Sequence, residues 1–319
     1  GEEVVVVQRT DLDIDSEAGR GLAIADNRTG EASLEWDADV LLDIADTVDL
    51  TEFWKPDELD KLVKGWRDVP DADIVPSIDK ADELRKKWGV ELGQLWQLGE
   101  HRIICGDCTD ADVVARLMDG EKTSITLTDP PYGINYQSNY RKTKFSRIQN
   151  DTTILQGWIP IAMEYTTGWI VFFCAWQRIS EWLAVCKGIG KLTNILVWLK
   201  KAAMGDLQGQ FSPTFEIALA FSRGAKLVAG KRTSAVFDVA VDSSVNYMHP
   251  TQKPVELLKQ IIDALPAGSV YDPFIGSGST LMACETLDRK CRAIDLEPKY
   301  VAVTLERWAT YTGQQPELI

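Results

Sequence analysis

The sequence predicts a doubly wound α/β domain with a mostly parallel sheet, preceded by a small, mainly helical appendage. Three observations predict it. From Gly93 onward, short β-branched or aromatic runs alternate with segments of helical periodicity, the order that builds a parallel sheet covered by helices. Two loop signatures, Asp129-Pro130-Pro131-Tyr132-Gly133 and Asp272-Pro273-Phe274-Ile275-Gly276-Ser277-Gly278, each follow such a run. They read as tight turns at the carboxyl ends of parallel strands, where open α/β sheets bind their ligands. Charge also changes along the chain: residues 1–100 hold 26 acidic and 11 basic side chains, the rest 22 and 23. The formal charge of −14 therefore belongs to the prefix. We read an acidic segment over 1–92 and the main domain over 93–319.

In the prefix, Val4–Val7 reads as a strand, and Val40, Leu41, Ile44 and Val48 recur at helical spacing among acids. Prolines near Pro56 and from Pro70 to Pro76 break the chain before a short helix at Asp79–Trp88. In the main domain, Arg102–Cys105 is a strand ending at Gly106-Asp107-Cys108, and Ala111–Met118 a helix. Strands follow at Ser124–Thr128, Trp169–Cys174, Ile195–Leu199, Ile217–Phe221, around Val270 and at Arg292–Leu296. Helical segments intervene at Ile179–Cys186, Val255–Leu265, Thr280–Leu287 and Pro298–Trp308. No internal repeat or low-complexity tract interrupts them.

No run of 18 apolar residues is present, so no membrane span is expected. The chain begins at Gly1 without a signal segment, which reads as a trimmed piece of a longer cytosolic protein. Six cysteines are too sparse for a disulfide scaffold, and the Cys105/Cys108 pair has no second pair to complete a metal site. No metal is expected. From Ile134 to Asn150 the chain carries Arg141, Lys142, Lys144 and Arg147 with no acid, interleaved with Tyr136, Tyr140 and Phe145. That composition suits contact with nucleic-acid phosphates and stacking on bases.

The loop at 129–133 combines a carboxylate, a proline-stiffened backbone with free carbonyls and an aromatic face, a set that can hold a planar ring bearing an amine. The loop at 272–278 supplies glycines that let backbone approach an extended ligand at a helix amino terminus. It lacks the third glycine of a dinucleotide fingerprint, and no Lys follows Gly278 as a phosphate-binding loop requires. Together the two loops resemble those of the amino-group DNA methyltransferases dependent on S-adenosylmethionine. Asp-Pro-Pro-Tyr is similar to their target-amine motif and Asp-Pro-Phe-x-Gly-x-Gly to their cofactor motif. The target motif comes first, as in the permuted β class. The resemblance runs from about Leu95 to Trp308 and implies a Rossmann-like methyltransferase fold.

It also implies roles. Asp272 lies near the cofactor ammonium, Phe274 packs on its adenine, and Gly276 and Gly278 shape the loop around its methionine part. Asp295, about twenty residues past the glycines, bonds the ribose. Asp107, with Cys108, belongs at the adenine. Lys253, in the run His249-Pro250-Thr251-Gln252-Lys253-Pro254, and Thr280 are the candidates for the methionine carboxylate. Gly21–Arg28 resembles the Ala-Asp-Asn-Arg segment of ParB-like domains, often fused ahead of such enzymes; only the tail of that module is present, and no activity is carried over.

The chemistry can be argued from the residues. An exocyclic amine is a weak nucleophile because its lone pair is delocalised into the ring, and acceptors aimed at its protons favour the localised state. Asp129 supplies one acceptor and the Pro130 carbonyl the other; Pro131 stiffens the turn and Tyr132 stacks on a base turned out of the helix. The reading is a site-specific N6-adenine methyltransferase acting on double-stranded DNA, cytoplasmic and of bacterial or phage origin. Asp at the head of the target motif favours adenine, whereas Ser or Thr is commoner for cytosine N4. Cytosine N4 and a catalytically idle DNA-binding module stay open, as do a homodimer and a restriction partner. One departure concerns the recognition region: only 27 residues separate Phe221 from His249. They include Arg223, Lys226, Lys231 and Arg232; recognition falls there, to residues 134–150 or 204–212, or outside this chain.

Overall fold

The computed structural model describes residues 80–133, 154–200, 214–224, 233–239 and 252–319. The chain divides into two compact units, Gly1–Pro70 and Asp71–Ile319, and every described residue falls in the second. That unit begins ahead of position 93 and takes in helix α1 (Ala81–Trp88). The helix buries Ala81 and Leu84 in the core and ends on Gly89 in the left-handed conformation, φ 65°. Its last turn is pinned from outside: Lys87 Nζ is 2.6 Å from Glu306 Oε2, and the Trp88 indole donates to the same oxygen at 2.8 Å. The expected strand at 4–7, the Ala-Asp-Asn-Arg segment and the helix through Val40–Val48 lie outside the described residues.

Ten described strands form one sheet: β1 (Leu95–Leu98), β2 (His101–Cys105), β3 (Thr123–Thr128), β4 (Thr166–Cys174), β5 (Lys191–Leu199), β6 (Phe215–Ser222), β7 (Val236–Asp238), β8 (Val270–Asp272), β9 (Cys291–Asp295) and β10 (Glu317–Leu318). Their order is β10-β1-β2-β9-β8-β3-β4-β6-β5-β7. Strands β2, β9, β8, β3 and β4 run in parallel, side by side. Only β1 and β6 run against the rest, so the mostly parallel sheet read from sequence is the one observed.

Register decides where the chemistry gathers. Cys105 pairs with Asp295, Asp272 with Ala293, Thr126 with Tyr271 and Thr128 with Phe172, so five carboxyl ends share one edge. The reversed strand β6 brings its amino end there, since Ile217 pairs with Cys174, and β5 ends opposite it with Leu199 on Phe215.

The parallel strands are buried on both faces, and their alternating side chains feed two cores. Cys105, Ile125, Leu127, Val171 and Phe173 face one, packed against α1, α5 (Val255–Ala264), α6 (Ser279–Thr286) and α7 (Pro298–Thr312). Ile104, Ile170, Phe172, Tyr271 and Ile294 face the other, packed against α2 (Ala111–Met118), α3 (Trp158–Tyr165) and α4 (Ile179–Val185). Helices on both faces make the domain doubly wound. Asp110 caps α2 by accepting from the Asp112 amide at 2.9 Å, and Pro298 opens α7 where its missing donor is not needed. Among the described residues, no helix is long and apolar enough to cross a membrane, and no cluster could hold a metal ion. All six cysteines are free and buried.

Candidate active site

Strand β3, Thr-Ser-Ile-Thr-Leu-Thr, is held in the middle of the sheet by its β-branched side chains and stops where Pro130 and Pro131 remove two ladder donors. Asp129 and Tyr132 are thereby delivered to the carboxyl edge. The Tyr132 hydroxyl donates to Asp129 Oδ1 at 2.7 Å, and Lys253 Nζ, just ahead of α5, donates to Asp129 Oδ2 at 2.6 Å. Lys253 also donates to the Tyr132 oxygen at 3.1 Å and lies 3.1 Å from Glu216 Oε2. Glu216, second residue of β6, is ion-paired on its other oxygen with Lys200, the residue after β5.

Burial pushes the Asp129 carboxyl above its ordinary value, opposed mainly by the Lys253 charge. Burial works to lower Lys253; Asp129 and Glu216 outweigh that and hold it above the usual lysine range. For Glu216, burial is likewise the largest single effect, overcome by Lys253 and Lys200, which keep it below the usual carboxylate range. Tyr132 is raised well above 10 by burial and by the two acids, so it acts as a neutral donor. The Asp129 side chain remains 26% exposed while Lys253 is 4% exposed, so the carboxylate is reachable from solvent and its counter-charge is not.

The second loop adjoins the first. Asp272, at the end of β8, accepts from the Thr128 hydroxyl at 2.6 Å and the Phe274 amide at 3.0 Å, with Thr280 bonded to it as well. Asp295, at the end of β9, accepts from the Gly276 amide at 2.9 Å and the Glu297 amide at 2.8 Å. Burial raises Asp272 to about 6 and Asp295 to about 7. The loop is propped from α7: Thr304 donates to the Gly276 carbonyl at 3.1 Å, and the buried Arg307 to the Ser277 carbonyl at 3.2 Å. Gly276 has φ +53°, and a Cβ there would meet nothing within 4 Å; Gly278 has φ +89°, and a Cβ would lie 2.9 Å from Thr304. The Phe274 ring stands edge-on to Trp158, centroids 5.9 Å apart.

Asp107 heads a turn in which its carboxylate accepts from the Thr109 amide at 2.8 Å. The Gly106 amide ties that turn to the Asp295 carbonyl at 2.9 Å. Cys108 is buried and its thiol is raised by that burial. The structure thus brings Asp129, Tyr132 and Lys253 together, and joins them to the Asp272 loop through Thr128. Lys253, read from sequence as the partner of a carboxylate on the cofactor, lies here on Asp129 and Glu216.

Four residues escaped the sequence reading: Glu216, Lys200, Thr304 and Arg307. Glu216 had a signal, since it is the lone acid in an otherwise apolar strand, Phe-Glu-Ile-Ala-Leu-Ala-Phe. Arg223, considered for phosphate contact, is spent elsewhere. Its guanidinium donates to the Met163 and Thr166 carbonyls, at the opposite edge of the sheet from Asp129. Arg141, Lys142, Lys144, Arg147, His249–Thr251, Lys226, Lys231, Arg232 and residues 204–212 lie outside the described residues.

Comparison with known proteins fits this arrangement. The chain is 28% identical over 221 residues to the putative methylase YubD of Escherichia coli, covering 65% of this chain and 90% of that one. It is 26% identical over 240 residues to the type II methyltransferase M.HpaI of Haemophilus parainfluenzae, covering 65% and 74%. The fold matches the M1.HpyAVI–SAM complex with TM-score 0.51 at 24% identity, over 64% of this chain and 98% of that one. It matches the cytosine-N4-specific PvuII DNA methyltransferase with TM-score 0.50 at 15% identity, over 70% and 94%. Residues 123–306, from the start of β3 into α7, match the N6/N4 methyltransferase family described as DNA methylase. The chain belongs to that family.

Proposed function

We propose that this DNA methyltransferase transfers the methyl group of S-adenosylmethionine to N6 of an adenine turned out of double-stranded DNA. The observation that carries the reading is Asp129, a carboxylate kept partly open to solvent while Lys253 and Tyr132 hold both its oxygens. The cofactor half fits its ligand by chemistry. The buried carboxylate of Asp272 and the partly buried one of Asp295 suit an ammonium and ribose hydroxyls, and Gly276 leaves open space where a Cβ would project. S-adenosylmethionine, when bound, supplies an electrophilic methyl on a sulfonium.

The chain's own residues do the rest. A carboxylate has roughly four acceptor positions, so Asp129 can keep its two partners and still accept from the target amine. The Pro130 carbonyl accepts the second amine proton, and the prolines hold that carbonyl before substrate arrives. Both bonds draw the lone pair out of the ring and onto nitrogen. The nitrogen that gains the methyl must shed one proton; Asp129 takes it and releases it to solvent. Asp at the head of the motif, in place of Ser or Thr, supports adenine over cytosine.

The test is mass analysis of nucleosides from duplex DNA incubated with enzyme and isotopically labelled cofactor, with labelled N6-methyladenine as the expected product. Labelled N4-methylcytosine would overturn the base assignment, and unlabelled DNA the activity.

A further inference from the structure

Glu216 has no part in the reaction so far. It opens an apolar strand, where an isolated acid would be neutralised by burial. Instead it is held ionised between two lysines, and the side chains form a chain of alternating sign, Lys200, Glu216, Lys253, Asp129. Its Oε2 also lies 3.3 Å from the Tyr132 hydroxyl, so Glu216 adjoins both groups that grip Asp129. Lys253 is further confined over the Phe173 ring at 4.8 Å and the Tyr132 ring at 5.6 Å.

We infer that Glu216 is a positioning residue for methyl transfer: acting through Lys253 and Tyr132, it fixes the orientation and charge of Asp129 where the target amine binds. The inference rests on the reading of Asp129 as acceptor of that amine. Its logic is electrostatic. Asp129 must be ionised to accept from the amine and then to take its proton, and in a buried setting that requires a cation. The cation, Lys253, is held above its usual range by Asp129 together with a second anion. Glu216 is that anion, and Lys200 prevents it from simply repelling Asp129.

Among the described residues, the groups facing this cluster come from several elements. Asp129 meets Lys253 from the segment before α5, Tyr132 from its own loop, Glu216 from β6, and the charge of Asp272 from β8; Cys174 at the end of β4 also lies within its field. Glu216 meets Lys200 from the end of β5 as well as Lys253 and Tyr132.

The experiment is single-turnover methylation of duplex DNA across pH by the full chain, Glu216→Gln and Lys200→Met, with S-adenosylmethionine binding measured by calorimetry. In Glu216→Gln the transfer rate at the optimum should fall by about tenfold or more, while the cofactor dissociation constant stays within about threefold. Its acid limb should move to lower pH by about one unit, because Asp129 loses a like-charged neighbour while Lys253 stays protonated. Lys200→Met should move the same limb to higher pH, since the net charge beside Asp129 becomes more negative. A purely structural role moves neither limb. Uniformly lower rates with unshifted limbs, or full activity in Glu216→Gln, would overturn the inference and leave the proposed function standing. A parent enzyme inactive on all DNA would overturn both.

Discussion

Two carboxyls carry most of the cofactor argument at the level of single residues. Burial pushes Asp272 up to about 6 and Asp295 up to about 7, against 3.8 for an ordinary aspartate. Between those values the folded chain holds protons that the unfolded chain has lost. Their contribution to stability is therefore fully present below 3.8 and disappears as pH rises through about 6 and about 7. A cationic ligand gains over the same interval, because it pairs with the ionised form. Raising the pH from about 5.5 to about 8 should thus lower the ligand-free melting temperature and tighten S-adenosylmethionine binding. Asp295→Asn should show shallower slopes in both scanning calorimetry and titration calorimetry. Binding that is flat with pH in the parent chain would remove the ionised carboxylates from cofactor recognition.

The element that presents the cofactor is the turn from β8 into α6, and its two glycines serve different ends. At Gly278 a Cβ would sit 2.9 Å from Thr304, at φ +89°. Gly278→Ala should cost about 2 to 4 kcal/mol of stability in urea unfolding, combining the left-handed backbone with overpacking. At Gly276 the Cβ would enter open space, at φ +53°. Gly276→Ala should cost only about 1 kcal/mol yet weaken S-adenosylmethionine binding; unchanged affinity would mean that the open space is not the cofactor's. Both glycines were legible in the sequence because a turn is a chain-local event, and so were the strands whose β-branched residues are buried on both faces. The strands β1, β7 and β10 were not: they are short, and β7 and β10 form the two edges of the sheet, paired with segments distant in sequence. Helix α3 was not read from the sequence; its Pro160 occupies the first turn, where no intrahelical donor is required. The Lys253–Asp129 and Tyr132–Glu216 contacts span separations of 124 and 84 residues, and no local pattern encodes them.

For the whole molecule, charge and boundary act together. The compact unit starts at Asp71, and α1 contributes Ala81, Leu84 and the Trp88 bond to Glu306. A chain beginning at Asp71 should keep the melting temperature of this unit, whereas one beginning at Gly93 should lose roughly 10 °C, from a few kcal/mol of lost burial. Scanning calorimetry on the two truncations decides whether α1 is part of the fold. DNA affinity poses a separate demand, since the cluster at Asp129 is balanced in charge and Arg223 is committed to backbone carbonyls at the far edge. Phosphate contact then has to come from other bases, and Arg141, Lys142, Lys144 and Arg147 follow the Asp129 loop directly in the chain. Replacing all four with glutamine should flatten the dependence of log affinity on log salt by as much as about 3.6, at roughly 0.9 per phosphate contact. Anisotropy titrations of labelled duplex at several salt concentrations measure that slope. An unchanged slope would exclude these four bases and shift the phosphate track to Lys226, Lys231 and Arg232.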